Sequence, residues 1–342
     1  MMGRETAGLF FSRTYDFLER YLPRQAGRSP ETVRAYRDAL TVFRRYARDV
    51  LGKGVGDLAF GDVDRDCVLG WLERMGEEGL SAATRNQRLA AIRSYLWYAA
   101  DCDVAVTSVA LSVSRIPPAK GPQRVKECLS EAALRAILAA PDASTRMGAR
   151  DVALMSVLYD TGIRLSELTG LTVGDALVDH EQPHIFVTGK GDKERPVGLS
   201  DPAVAQLRRH LAMSHSTPAD KSDPLFYTKL KGGKRRMSSS NVERIVQKYA
   251  DEARESCEEV PERVYPHMFR RTRATDLYQQ GVELALVSRI LGHASMETTK
   301  VYAKPSIEQM REAMGKVGRV DEPEEACWVG DEEMMARLCG LR

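Results

Sequence analysis

Cysteine is scarce in this chain and scattered: six among 342 residues, at 67, 102, 128, 257, 327 and 339, without a C-x-x-C pair. That spacing argues against a disulfide framework and a zinc site and fits a reducing compartment. Long apolar runs are missing as well. No stretch approaches the ~20 apolar residues of a membrane span, and the N-terminal MMGRETAGLFF lacks a secretory hydrophobic region. A soluble cytoplasmic protein with no membrane partner is expected. Neither sign of charge dominates, with 50 Lys and Arg against 48 Asp and Glu for a net +2. Affinity for a polyanion would therefore have to come from local clusters. There is no Walker-type phosphate loop and no grouping with metal-ligand spacing, so neither a metal nor another cofactor is expected.

The length suffices for two domains, each with its own core. From Ser29, SPETVRAYRDALTVFRRYARDV opens with a serine N-cap and a proline at the first helical position. Val33, Tyr36, Leu40, Phe43 and Ala47 then recur at three- and four-residue steps, one face of a core helix. A second helix from Ser81, SAATRNQRLAAIRSYLWYAA, carries Leu89, Ile92 and Leu96 on one face. With earlier helices around FFSRTYDFLERYL and DRDCVLGWLERM, residues 10–115 read as an all-helical domain. IPPAKGPQRVK at 116–126 interrupts the pattern with three prolines, a glycine and three basic residues and reads as a linker. Beyond it, 127–315 mixes helices with two short strands, HIFVT and ERPVGL, around a glycine-rich turn. The expected fold is mainly α with a small β-hairpin or sheet, the second domain being α+β.

Chemistry concentrates in five boxes of this second domain. They are TGIRLSEL with Arg164, TGKGDKER with Lys190, HMFR with His267 and Arg270, LGH with His293, and TTKVY with Tyr302. Singly, each has an ordinary reading: Gly162 as a helix break, Gly292 as a helix C-terminus, Tyr302 as amphipathic core. Jointly they suit attack on a phosphodiester. Arginines are always charged and bind phosphoryl oxygens bidentately, where the transition state gathers charge. A phenol, with a pKa of about 10, attacks only as its proton leaves. His267 can take or orient that proton. A departing 5′-oxygen needs an acid such as a lysine ammonium, and Lys190 and Lys193 both lie near the hairpin tip. Glu167, one helical turn after Arg164, can hold an arginine or histidine of the site.

In order and spacing, including nine residues from His293 to Tyr302, these boxes resemble the tyrosine recombinases, or phage-integrase-type recombinases, and more closely the Xer-like members. The resemblance runs from about residue 10 to about residue 310 and favours Lys190 over Lys193. It implies catalysis by Arg164, Lys190, His267, Arg270, His293 and the nucleophile Tyr302, supported by Glu167. It further implies a 3′-phosphotyrosine intermediate, a Holliday junction, and no metal or ATP. The N-terminal domain would be a core-binding, SAM-like DNA-binding domain, and the two domains would close on DNA as a C-shaped clamp. The implied partners are double-stranded DNA with paired half-sites and a homotetramer on two sites, a dimer on each, at the nucleoid. An accessory recombinase or DNA-bending protein could join them. One departure is Lys304, where many relatives carry histidine two residues after the tyrosine; it bears on subgroup and not on chemistry.

Groove or phosphate contacts are expected from Arg88 and Arg93, which flank the apolar stripe of the second helix. They are also expected from Lys234, Arg235 and Arg236 in the basic cluster KLKGGKRR at 229–236. The tail from 320 is acidic, with seven Asp or Glu against two Arg, which disfavours phosphate. Its Met334, Met335, Leu338 and Leu341 recur at near-helical spacing, and the resemblance makes 316–342 a candidate helix for docking on a neighbouring protomer. Integration, excision or transposition of a mobile element is the expected role, favoured by the tail and Lys304. With the helical domain beginning almost at residue 1, no separate arm-site domain is expected. Xer-type dimer resolution, type IB topoisomerase-like relaxation and a catalytically silent architectural protein are the alternatives.

Overall fold

The computed structural model describes residues 8–121, 127–189, 194–216, 219–230, 232–292, 310–311, 314 and 331–341. The chain divides into two compact units, Met1–Val125 and Lys126–Arg342. Both are built mainly from helices, with two small antiparallel sheets in the second.

In the first unit, a 3-10 turn at Phe10–Arg13 leads through α1 (Thr14–Asp16) into a π-helical segment, Phe17–Gln25. The sequence pattern predicts a helix around FFSRTYDFLERYL without distinguishing its type. Pro23 lies inside the π-helical segment, and a proline has no N–H to donate while its ring crowds the carbonyl four residues back, so a wider turn accommodates it. Helix α2 (Pro30–Val50) is capped by Ser29, whose side chain accepts from the Thr32 amide, and α4 (Ala82–Cys102) by Ser81 in the same way. Between them lies α3 (Arg65–Glu77), and α5 (Thr107–Ser114) packs on α4. Aromatics are only 7% of the chain, yet Phe10, Phe17, Phe43, Trp71 and Tyr95 gather in this core, all buried. Phe10 meets Phe43 and Tyr95 with ring centroids 5.2 and 5.1 Å apart, the tilted and edge-on geometries that aromatic quadrupoles favour.

The second unit is organised on α7 (Arg146–Thr161), which follows α6 (Glu131–Ala139). Val152, Leu154, Met155, Val157 and Leu158 of α7 are all buried, so this helix is enclosed on more than one face. It packs against α9 (Asp201–Ser214) and α11 (Pro266–Gln279). A three-stranded antiparallel sheet is ordered β1 (Ala176–Leu177), β2 (His184–Thr188), β3 (Glu194–Gly198). On the inward face of its hairpin Ile185 pairs with Val197 and Val187 with Arg195. A second hairpin joins β4 (Tyr227–Leu230) to β5 (Gly233–Arg236), followed by α10 (Ser239–Arg254). The short helix Glu332–Leu338 is capped by Asp331 and exposes Met334, Met335 and Leu338. Among the described residues no helix is long and apolar enough to cross a membrane.

Candidate active site

Helix α7 stops at Gly162, whose φ of 59° is left-handed and whose amide closes the last turn on the Leu158 carbonyl. Such a C-cap costs an L side chain about 1–2 kcal/mol, which is why glycine stands there. The chain then re-enters a helix at once, and Arg164 becomes the N-cap of α8 (Leu165–Gly170). Its own amide donates to Glu167 Oε2 at 2.8 Å, and its Nη1 donates to Glu167 Oε1 at 2.9 Å. Glu167 is thus the residue that aims Arg164, through backbone and side chain together.

A second helix end meets this turn. α12 (Leu284–Leu291) also finishes on a left-handed glycine, Gly292, with φ 64°. Arg164 Nη2 donates to the Gly292 carbonyl at 2.8 Å, and Arg270 Nη2 donates to the neighbouring Leu291 carbonyl at 2.8 Å. Arg270 Nη1 reaches the Gly162 carbonyl at 2.5 Å. The last carbonyls of a helix have no partner within it and carry its partial negative charge, so guanidinium groups are held there favourably. Arg270 is 2% exposed, whereas the Arg164 side chain is 41% exposed. Of the two, Arg164 faces solvent and Arg270 is the buried brace. His267 lies one turn before Arg270 on α11 and is exposed. Lys190, Lys193, His293, Tyr302 and Lys304 lie outside the described residues, although His293 is next in the chain after Gly292.

The sequence pattern does not single out Arg195. It donates from Nη1 and Nη2 to the two oxygens of Glu167 at 3.2 and 3.0 Å, and from Nη2 and Nε to the Leu291 and Ile290 carbonyls at 3.4 and 3.5 Å. A legible sign existed: Arg195 shares a strand face with buried Val197, an inward position where an arginine needs partners. Burial pushes the Glu167 carboxyl up, but the hydrogen bonds and charge of Arg195, with those from Arg164, more than reverse this and hold it below its ordinary range.

The residues expected at DNA are dispersed. Arg88 is half-buried with Nη1 3.0 Å from the Met75 sulfur. Arg93 turns inward: its Nε donates to the Val113 carbonyl at 3.2 Å and its Nη2 to Ile116, so it braces the exit of α5. Lys234 pairs with Asp223 and lies over the Tyr227 ring, 5.2 Å from its centroid. Arg235 and Arg236 are exposed on β5. A cationic side chain that answers an internal acid or carbonyl contributes to the fold before it contributes to any ligand.

Known proteins resemble this chain in sequence and in fold. A model of the phage integrase family matches residues 127–309, and one of the phage integrase N-terminal SAM-like domain matches 16–101. The chain is similar to the integrase/recombinase y4rC of Sinorhizobium fredii, 33% identical over 88% of this chain and 89% of that one. It is similar also to the tyrosine recombinase XerC of Pelotomaculum thermopropionicum, 30% identical over 86% and 94%. In fold it matches the Tn1549 transposon integrase solved in complex with transposon right end DNA, with TM-score 0.68, 17% identity and coverage of 89% and 99%. The chain therefore belongs to the phage integrase family of tyrosine recombinases, enzymes that transfer DNA strands.

Proposed function

We propose that this chain is a site-specific DNA recombinase that cleaves and rejoins strands through a 3′-phosphotyrosine intermediate and a Holliday junction, serving integration, excision or transposition of a mobile element. The observation that carries the reading is the convergence of Arg164 and Arg270 on the adjacent carbonyls of Gly292 and Leu291. Two fixed cations from α8 and α11 meet at the helix end that leads into His293, which suits one phosphodiester. In this reading the Tyr302 phenol oxygen bonds to phosphorus and its proton passes to His267. The 5′-oxygen departs with a proton from Lys190, and the free 5′-hydroxyl of another strand reverses the step.

Residues 10–115 serve as the core-binding domain and 127–315 as the catalytic domain, joined by the 116–126 linker. Two protomers bind one site, four bind two, and the exposed apolar residues of the tail at 316–342 dock between them. Exposed Arg235 and Arg236 are the strongest candidates for phosphate contact. Xer-type dimer resolution is the second reading, favoured by the XerC name of one relative.

The test is covalent capture. Nicked suicide duplexes tiling the DNA that flanks the coding sequence are incubated with the protein and with Tyr302→Phe, and adducts are scored on denaturing gels. An adduct absent from Tyr302→Phe identifies the nucleophile and the site. An adduct that persists in the variant, or duplex binding with no adduct on any tile, overturns the reading.

A further inference from the structure

Arg195 is a charged group beside the site with no assigned part in the chemistry. It spans three pieces of the fold at once: the β2–β3 hairpin on which it stands, the first turn of α8 through Glu167, and the C-terminal end of α12 through the Ile290 and Leu291 carbonyls. Its guanidinium lies so close over Gly292 that a Cβ there would fall 2.6 Å from Arg195 Cζ. The fork onto both oxygens of Glu167 fixes the plane of that carboxylate. The plane in turn decides where Oε1 meets Arg164 Nη1. The same guanidinium sets the distance between α12's last turn and Arg164, because Arg164 Nη2 is bound to the Gly292 carbonyl.

We propose that Arg195 is a positioning residue for strand transfer. Acting through Glu167 and the end of α12, it holds Arg164 and the chain entering His293 at the geometry that cleavage needs. The proposal rests on the recombinase reading of the site. A lysine would not substitute, since a single ammonium cannot bridge both carboxylate oxygens and two carbonyls at once.

The experiment compares Arg195→Ala and Arg195→Lys with wild type, using the nicked duplex on which the wild-type protein forms its adduct. Single-turnover adduct formation and duplex affinity are measured separately. Arg195→Ala is expected to bind the duplex within about 2-fold of wild type and to form the adduct about 100-fold more slowly, the scale of a misplaced catalytic group. Arg195→Lys is expected to recover no more than about 10-fold of that loss, the bidentate geometry being absent. Combining Arg195→Ala with Glu167→Ala is expected to lower the rate no further than either alone, the non-additivity of one unit. Leu207→Ala, a core truncation on α9, controls for lost stability and keeps the wild-type rate per folded molecule.

A second measurement needs no DNA. In the free protein, amide exchange at Leu291 and Gly292 is expected to rise about 10-fold or more in Arg195→Ala as the helix end frays, and to stay unchanged in Leu207→Ala. A wild-type adduct rate in Arg195→Ala, additive losses in the double variant, or unchanged exchange at Leu291 and Gly292 overturns the positioning role. An adduct that survives Tyr302→Phe instead overturns the recombinase reading, and the exchange result then still judges whether Arg195 holds α12.

Discussion

Arg164 and Arg195 hold one carboxylate from two sides: Arg164 Nη1 stands 2.9 Å from Oε1 of Glu167 and Arg195 Nη2 stands 3.0 Å from Oε2. The acid lies between two strands of control, one from the α7–α8 junction and one from the hairpin.

Removing that acid leaves two guanidinium groups facing each other with no anion between them. Glu167→Ala is expected to lose about 2–3 kcal/mol in urea denaturation at pH 7, the low side of a broken buried pair because Arg164 is partly exposed. The pH dependence has a definite sign. A carboxyl held below its ordinary 4.5 stabilises the fold above that pH, and the contribution disappears as pH falls through the lowered value. The gap between wild type and Glu167→Ala should therefore narrow when the same titration is run well below pH 4.5.

Arg164 and Arg270 should fail differently. Arg270 is buried and braces Gly162 and Leu291, so Arg270→Ala should lower both the thermal midpoint and adduct formation. Arg164→Ala, whose side chain is partly open to solvent, should lower adduct formation about 10²–10³-fold, the usual loss on removing one transition-state donor, with the smaller change in the midpoint. Calorimetry beside suicide-substrate kinetics separates the two.

Gly292 meets two demands at once, a left-handed φ and the Arg195 guanidinium where a Cβ would stand. Gly281 meets only the first, with φ 84° and open space beside it. Both alanine variants should lose about 1–2 kcal/mol from the backbone penalty. Only Gly292→Ala should also slow adduct formation, and rates normalised to folded protein reveal the difference.

Away from the site, His210 on α9 is fully buried, donating from Nε2 to the Leu225 carbonyl at 2.8 Å and stacking on Phe226. Burial pushes its imidazole down to about 4 from an ordinary 6.5. Between those values the unfolded chain takes up a proton that the folded chain refuses, so stability falls as pH drops from 6.5 towards 4. His210→Phe should remove up to roughly 3 kcal/mol of that slope. Chemical denaturation at pH 7 and pH 4.5 measures it.

Much of the architecture is legible in the sequence. Ser29 and Ser81 cap the helices that they announce, the hairpin falls on HIFVT and ERPVG, and Gly162 breaks the chain where TGIR says it should. Glu167 does hold Arg164, as its one-turn spacing suggests. What stayed hidden has a common physical cause. The HMFR box marks Arg270 and strand alternation turns Arg195 inward, but the carbonyls that Arg195, Arg270 and Arg93 answer belong to every residue type and leave no mark in the sequence. The sequence does not distinguish the π-helical turn at Phe17–Gln25 from an α-helix, because side-chain periodicity over a few residues barely separates the two.

Three bonds fasten residues 127–129 to α11. Arg271 donates to the Glu127 carbonyl at 2.8 Å, Thr272 Oγ1 accepts the Leu129 amide at 2.9 Å, and the Cys128 thiol meets the Thr275 hydroxyl at 3.5 Å. Arg271 and Thr272 follow Arg270 directly on that helix. The second unit is thus fastened at its entry to α11, one residue from the arginine that braces the ends of α7 and α12.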